Sequence, residues 1–142
     1  MIKGLRITLP KLSAAVVSVL LLGNLATAYA VDIKLTGAEE VPAVQTRAHG
    51  QGNITVAPDH SVSGSVKTNG MKGTMAHIHI GATGKAGPVA IPLASSADNV
   101  WSVPTEAKLT DEQYKSYTAG DLYVNVHSAG HKDGEIRGQI KP

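Results

Sequence analysis

Residues 75–81 read Met-Ala-His-Ile-His-Ile-Gly, a short apolar run in which histidine occupies two of the positions. Successive side chains of a β-strand point to opposite faces. One face of this strand would therefore present alanine and isoleucine to a core, and the other would present His77 and His79. The run predicts a strand that packs on one side and presents two imidazoles on the other.

A second run, residues 122–127, reads Leu-Tyr-Val-Asn-Val-His and follows the same alternation. Leucine and the two valines share one face, and Tyr123, Asn125 and His127 share the other. If the two strands lie side by side, three histidines converge on one surface. Tyr123 and Asn125 would then either orient the imidazoles or remain solvated strand residues.

Further strand-like segments occur at short intervals, separated by Gly, Pro, Asn and Asp. Such spacing is typical of antiparallel sandwiches and Greek-key barrels. The sequence therefore predicts an all-β fold, an antiparallel Greek-key β-sandwich or barrel of about eight strands. The predicted strands are 32–36, 51–57, 61–68, 74–80, 88–93, 100–103, 121–128 and 135–140.

One short helix is predicted over residues 109–117. Thr110 has the side chain of a helix N-cap, and Gln113 three residues later completes a capping-box pattern. Gly120 lies just past the end, where helices commonly stop. Two to three turns cannot form a core alone, so this helix connects strands.

The first thirty residues have the pattern of an export signal. A basic start with Lys3, Arg6 and Lys11 is followed by an apolar stretch over 13–26 and by Ala-Tyr-Ala at 28–30. The apolar stretch is shorter than the roughly 20 residues that a membrane span needs. We expect cleavage after residue 30 and a periplasmic or secreted product, residues 31–142, that forms one domain.

Charge and cysteine content exclude several classes of function. Without the leader, ten basic residues face eleven acidic ones, a net charge of about −1. No basic stripe with interleaved aromatic residues is present, so no nucleic-acid partner is expected. The chain has no cysteine, which excludes a disulfide framework and thiolate metal sites.

Paired histidines on a strand are often only surface side chains or a hydrogen-bonded pair. The third histidine in the same phase favours a metal site instead, because imidazole is a preferred ligand of Cu, Zn and Ni. A fourth ligand could come from His131, which is close in sequence to His127, or alternatively from His49. His60 belongs to a predicted hairpin turn and is expected to be solvated.

Copper is the expected metal, and zinc is the less favoured alternative. A cysteine-free set of three or four histidines suits Cu(II) and Zn(II), and copper binds such sites more tightly when both metals are present. Copper is also redox-active, whereas zinc is not.

Four motifs in order resemble the CHRD domain, a family first described in chordin and common in exported bacterial proteins. The resemblance covers nearly all of residues 31–142 and implies a domain that could act as a binding module. The first motif also contains Glu39 and Glu40, for which a role in shaping the loop is expected. The motifs are Leu-Thr-Gly-Ala-Glu-Glu-Val-Pro at 35–42, Ala-His-Ile-His at 76–79, Leu-Tyr-Val-Asn-Val-His-Ser at 122–128 and Gly-Glu-Ile-Arg-Gly-Gln at 134–139.

The histidine arrangement is also similar to the copper site of copper/zinc superoxide dismutases, which combine a His-x-His strand with further histidines and an arginine. The similarity implies Arg137 as the catalytic residue that steers superoxide, although an ion pair with a residue such as Glu135 is the alternative. The zinc subsite and the disulfide of those enzymes have no counterpart here. The expected function is therefore a copper-only superoxide dismutase, which converts superoxide to oxygen and hydrogen peroxide. The alternative is a non-catalytic module that buffers copper or binds a protein partner.

Overall fold

The computed structural model describes residues 27–142. Most of the predicted export signal, residues 1–26, lies outside the described residues, and its cleavage stays a prediction. The first strand begins at Ala30, so the expected cleavage position falls at the edge of the folded part. Among the described residues, no helix is long and apolar enough to cross a membrane.

Eight antiparallel strands close into a barrel, which confirms the predicted all-β fold. Going round the barrel, the strands follow the order β1-β2-β3-β6-β5-β4-β7-β8. The strands are β1 (Ala30–Thr36), β2 (His49–Val56), β3 (Val62–Asn69), β4 (Gly73–Ile80), β5 (Val89–Ala97), β6 (Val100–Ser102), β7 (Leu122–Ser128) and β8 (His131–Ile140).

The connections have a Greek-key character. β4, β5 and β6 follow one another as neighbours, and β3, which precedes them, lies beside β6 rather than β4. The short 3₁₀ helix Gly37–Glu39 follows β1. The helix α1 (Asp111–Thr118) joins β6 to β7 and has the predicted capping box between Thr110 and Gln113.

The barrel interior is filled by apolar side chains from alternate strand positions, including Ala76 and Ile78 of β4 and Val124 and Val126 of β7. Unlike a typical barrel strand, β7 is buried at all seven positions. Its outer face is covered because two loops, residues 37–48 and 81–88, contact side chains on the outside of β7 and β8. The candidate site lies on this covered outer face.

β8 is longer than the predicted strand and begins at His131 instead of Glu135. Ser128 pairs with His131, so only two residues separate β7 from β8. Gly134 lies within the strand at φ 130°. Only glycine adopts such a backbone angle readily, so the strand continues through it.

Candidate metal centre

The pairing of β4 with β7 brings the histidines together. His77 is the register partner of Asn125, and His79 is the partner of Tyr123. His127 reaches the same group from the end of β7, opposite Met75. The ligand atoms of His77, His79 and His127 all lie within 4.8 Å of one another, so these residues could hold a metal ion.

Backbone carbonyls fix the orientation of two of the three rings. His79 Nδ1 lies 2.9 Å from the Gly87 carbonyl oxygen, and His127 Nδ1 lies 2.7 Å from that of Lys132. A carbonyl oxygen only accepts hydrogen bonds, so both Nδ1 atoms donate, and the lone pair of each neutral ring lies on Nε2. Such contacts set the tautomer of metal-binding histidines in many proteins.

His77 completes the group from the more exposed side. Its Nδ1 lies 3.0 Å from His127 Nε2. Because His127 donates through Nδ1, its Nε2 accepts, and His77 is the donor in this contact. In the other tautomer of His77, which leaves Nδ1 unprotonated, the two nitrogens have the spacing of neighbouring ligands bound at about 2 Å from one metal.

Two buried polar atoms in the centre have no hydrogen-bond partner among the described residues, which is the observation that best fits a metal or its ligand. They are Nε2 of His79 and Oδ1 of Asn125. Buried polar atoms are nearly always paired, because an unpaired one loses its hydration without compensation. The donor set of three imidazoles suits a divalent transition metal.

The environment favours neutral, metal-binding imidazoles. Burial lowers the pKa of His77, and the neighbouring His127 and His79 lower it further. Burial also lowers the pKa of His79, although its hydrogen bond to Gly87 partly opposes the shift. Both rings are therefore neutral at neutral pH, the form that binds metals.

These pKa shifts predict that the metal-free domain loses stability as the pH falls. In the unfolded chain both histidines titrate near 6.5, above their folded values, so the unfolded state takes up more protons. The stabilising contribution is complete above about pH 6.5 and is lost as the pH falls through the lower folded values. Urea unfolding in EDTA at pH 7.5 and 5.0 measures the loss of stability. The same measurement on a His77→Gln/His79→Gln variant shows how much of the loss comes from these two histidines. An equally steep pH dependence in that variant would contradict the prediction.

The other predicted ligands lie elsewhere. His131, the first residue of β8, lines a surface pocket with Glu40 and Lys132 and does not belong to the three-histidine group. His49 is exposed at the start of β2, and its Nδ1 contacts the Arg47 carbonyl at 3.2 Å. His60 follows the predicted turn, away from the group, but its ring is 26% exposed and stacks on Tyr114 instead of being fully solvated.

Arg137 of β8 is the register partner of Asn125 in β7 and is almost completely buried, with an exposed fraction of 2%. Its guanidinium donates hydrogen bonds to the carbonyls of Lys85 and Ala82 and to Gln139 Oε1, at 2.9 to 3.0 Å. Within residues 27–142 it forms no ion pair, and Glu135, the alternative partner, accepts from Thr46 at 2.6 Å instead.

A stack of three side chains connects Arg137 to the site. The guanidinium carbon lies 3.5 Å from the centre of the Tyr123 ring, and that ring lies parallel to His79 with 4.9 Å between ring centres. The Tyr123 hydroxyl also accepts from the Gly87 amide at 3.2 Å. Arg137 and Tyr123 thus support the loop 81–88 whose Gly87 carbonyl orients His79.

Sequence reasoning missed the carbonyls of Gly87 and Lys132, which no side-chain pattern reveals. It also gave Glu40 only a loop-shaping role. Glu40 Oε1 accepts a hydrogen bond from Asn125 Nδ2 at 3.1 Å, so this acidic residue reaches the site. The signal available was its position in the first of the four motifs.

Comparison with known proteins gives a family but no close relative. Neither the search of curated proteins nor that of solved structures gave a match. The model of the CHRD domain matches residues 31–140, which includes every strand residue of the barrel except Ala30. All residues of the candidate centre lie within this range, and the chain belongs to the CHRD domain family.

Proposed function

We propose that this exported CHRD domain binds one copper ion through His77, His79 and His127. The observation that carries the proposal is the convergence of three imidazole nitrogens within 4.8 Å, with two of the rings fixed by backbone carbonyls. Burial keeps His77 and His79 neutral, so little protonation has to be reversed before the metal binds.

Copper is preferred over zinc on the chemistry of the donors. Imidazole suits both metals, but copper binds a given nitrogen site more tightly in the divalent series. The chain supplies no thiolate that would favour zinc. Bound copper would supply one-electron exchange between Cu(II) and Cu(I), the chemistry that superoxide dismutation requires.

We further propose superoxide dismutation as the activity of the copper-loaded domain. His77 is only partly buried, so a small anion can approach the histidine group from that side. Exposed Lys85 lies in the loop 81–88, whose Gly87 carbonyl orients His79, and exposed Lys132 in β8 supplies the carbonyl that orients His127. Together with the buried charge of Arg137, which also acts on His79, they favour approach of an anion.

The loaded protein is expected to contain one copper ion per domain. It should also dismutate superoxide faster than the same concentration of copper without protein, in a buffer that contains a competing chelator. Metal analysis after dialysis measures the copper content. The dismutation rate is measured from the inhibition of cytochrome c reduction by superoxide. The rate should fall with ionic strength, because salt screens the attraction of the anion. A wild-type protein that retains no copper would overturn the whole proposal.

A non-catalytic copper-buffering module is the second candidate, and the position of Arg137 favours it. The guanidinium donates to loop carbonyls and is 2% exposed, so it cannot contact an incoming anion without moving. Copper binding with a dismutation rate no higher than that of free copper in buffer would select this module over the enzyme.

A further inference from the structure

Asn125 lies in the middle of the candidate centre. It is the register partner of His77, and on the outer face of β7 it lies between Tyr123 and His127. Its exposed fraction is 2%. A polar side chain this deeply buried normally has all its hydrogen bonds satisfied.

Only the nitrogen of the Asn125 amide is paired. Nδ2 donates to Glu40 Oε1 at 3.1 Å and to the Asp133 carbonyl at 3.3 Å, so both of its hydrogens have acceptors. Neither acceptor could pair with Oδ1, so the amide cannot turn over without losing both bonds. The amide oxygen is thereby fixed on the opposite side and has no partner there.

The Asn125 side chain lies among the imidazoles. Asn125 is the register partner of His77 and precedes His127 by two residues on the same face of β7. His79 Nε2 is likewise buried without a partner. An oxygen acceptor and a nitrogen lone pair therefore lie unpaired in the same small group.

Glu40 reaches this group from the loop after β1. Its exposed fraction is 8%, which is unusual for a carboxylate. Gly134 of β8 makes the contact possible, because a Cβ at that position would collide with Asn125 Nδ2 and Glu40 Oε1. Glu40 of the first sequence motif and Gly134 of the last therefore both lie next to the side-chain amide of Asn125.

We propose that Glu40 is a positioning residue of the three-histidine centre, which holds the Asn125 amide so that its oxygen faces the imidazoles. The oxygen then provides a fourth polar contact for the metal or for a ligand of the metal. This inference rests on the copper site proposed above. It assigns a function at the metal to a residue of the first motif, for which only loop shaping was expected.

The test compares Glu40 with its neighbour Glu39, which is exposed. Glu40→Ala is expected to weaken Cu(II) binding about 10-fold and to change the copper hyperfine splitting in electron paramagnetic resonance, because outer partners contribute about 10–100-fold to metal affinity. Glu39→Ala should change neither. Glu40→Gln should keep both close to wild type, because its amide oxygen can accept the same hydrogen bond from Asn125.

The outcomes separate this inference from the proposed function. Wild-type protein that binds no Cu(II) would remove the copper site and the role of Glu40 with it. Wild-type binding with an unchanged affinity and spectrum in Glu40→Ala would overturn the role of Glu40 alone.

A second measurement needs no substitution at Glu40, in case that variant fails to fold. Titration of wild-type ¹⁵N-labelled protein with diamagnetic Zn²⁺ should shift the side-chain amide signal of Asn125 more than the amide signals of distant Asn53 and Gln51. Zn²⁺ occupies histidine sites and causes no paramagnetic broadening. Zinc-dependent shifts of the His77 and His79 signals without a shift at Asn125 would overturn the proposal.

Discussion

The variant His77→Ala is expected to lose copper affinity by more than about 100-fold and to remain folded. Removing a ligand should cost more than removing one of its outer partners, which contribute about 10–100-fold. The ring is partly exposed, and its one hydrogen bond among residues 27–142 is to His127, so the fold loses little. His79→Ala should also release copper, but with some loss of stability, because the ring stacks on Tyr123 and bonds to Gly87.

His60 provides the matched control for these variants. It stacks on Tyr114 with 4.1 Å between ring centres, next to helix α1 and away from the candidate centre. His60→Ala should therefore leave the copper affinity, measured by competition with a chromophoric chelator, unchanged. An equal loss in His60→Ala and His77→Ala would indicate general destabilisation, and full retention in His77→Ala would place the copper elsewhere.

The same competition measurement of copper affinity tests the fourth ligand that was predicted from the sequence. His131 and His49 do not belong to the three-histidine group in this structure. We expect their alanine variants to bind copper as the wild type does. A weakened site in His131→Ala alone would mean that the β7–β8 turn moves toward the metal.

Arg137→Ala is expected to lower the free energy of unfolding by about 3 kcal/mol or more. The substitution removes three hydrogen bonds from a charged group and leaves the Lys85 carbonyl without its donor, whereas the Ala82 carbonyl keeps the Lys85 amide. It also removes the stacking on Tyr123 and leaves a cavity at a position that is 2% exposed. Urea unfolding of the metal-free protein measures the loss.

Arg47 is a suitable control because it is an exposed arginine in the same chain. Arg47→Ala should change the unfolding free energy by less than about 0.5 kcal/mol. Arg137→Lys should recover only part of the stability, since an ammonium group lacks the planar fork and stacks less well. If Arg137→Ala instead keeps its stability and copper but loses the salt-dependent part of the dismutation rate, steering is its main role.

Local patterns predicted the fold and the faces of the strands. Alternation in residues 75–81 and 122–127 assigned the histidines to one side, and the pairing of β4 with β7 agrees with it. Thr110 and Gln113 predicted the start of the helix, because a capping box depends only on neighbouring residues. Such local signals do not depend on the rest of the fold.

The sequence could not show which strands are neighbours. His77 and His127 are 50 residues apart, and their approach depends on a barrel order in which β4 lies beside β7. The burial of Arg137 could not be predicted from the sequence either, because the loops that cover the outer face of β7 and β8 have no apolar pattern. An arginine at an outward-facing strand position is normally exposed to solvent. Here the carbonyls of Ala82 and Lys85 replace water as acceptors for the guanidinium hydrogen bonds.

The ring of strands closes through a single described residue pair between β1 and β8, Thr36 with Arg137. The backbone of Arg137 thus joins the two ends of the sheet, while its side chain supports the loop that orients His79. A metal that binds only the closed barrel would stabilise that closure by mass action, by about 2.7 kcal/mol at a free concentration 100 times the Kd. If the metal is the copper proposed above, the resistance of the domain to proteolysis would then rise and fall with the copper supply.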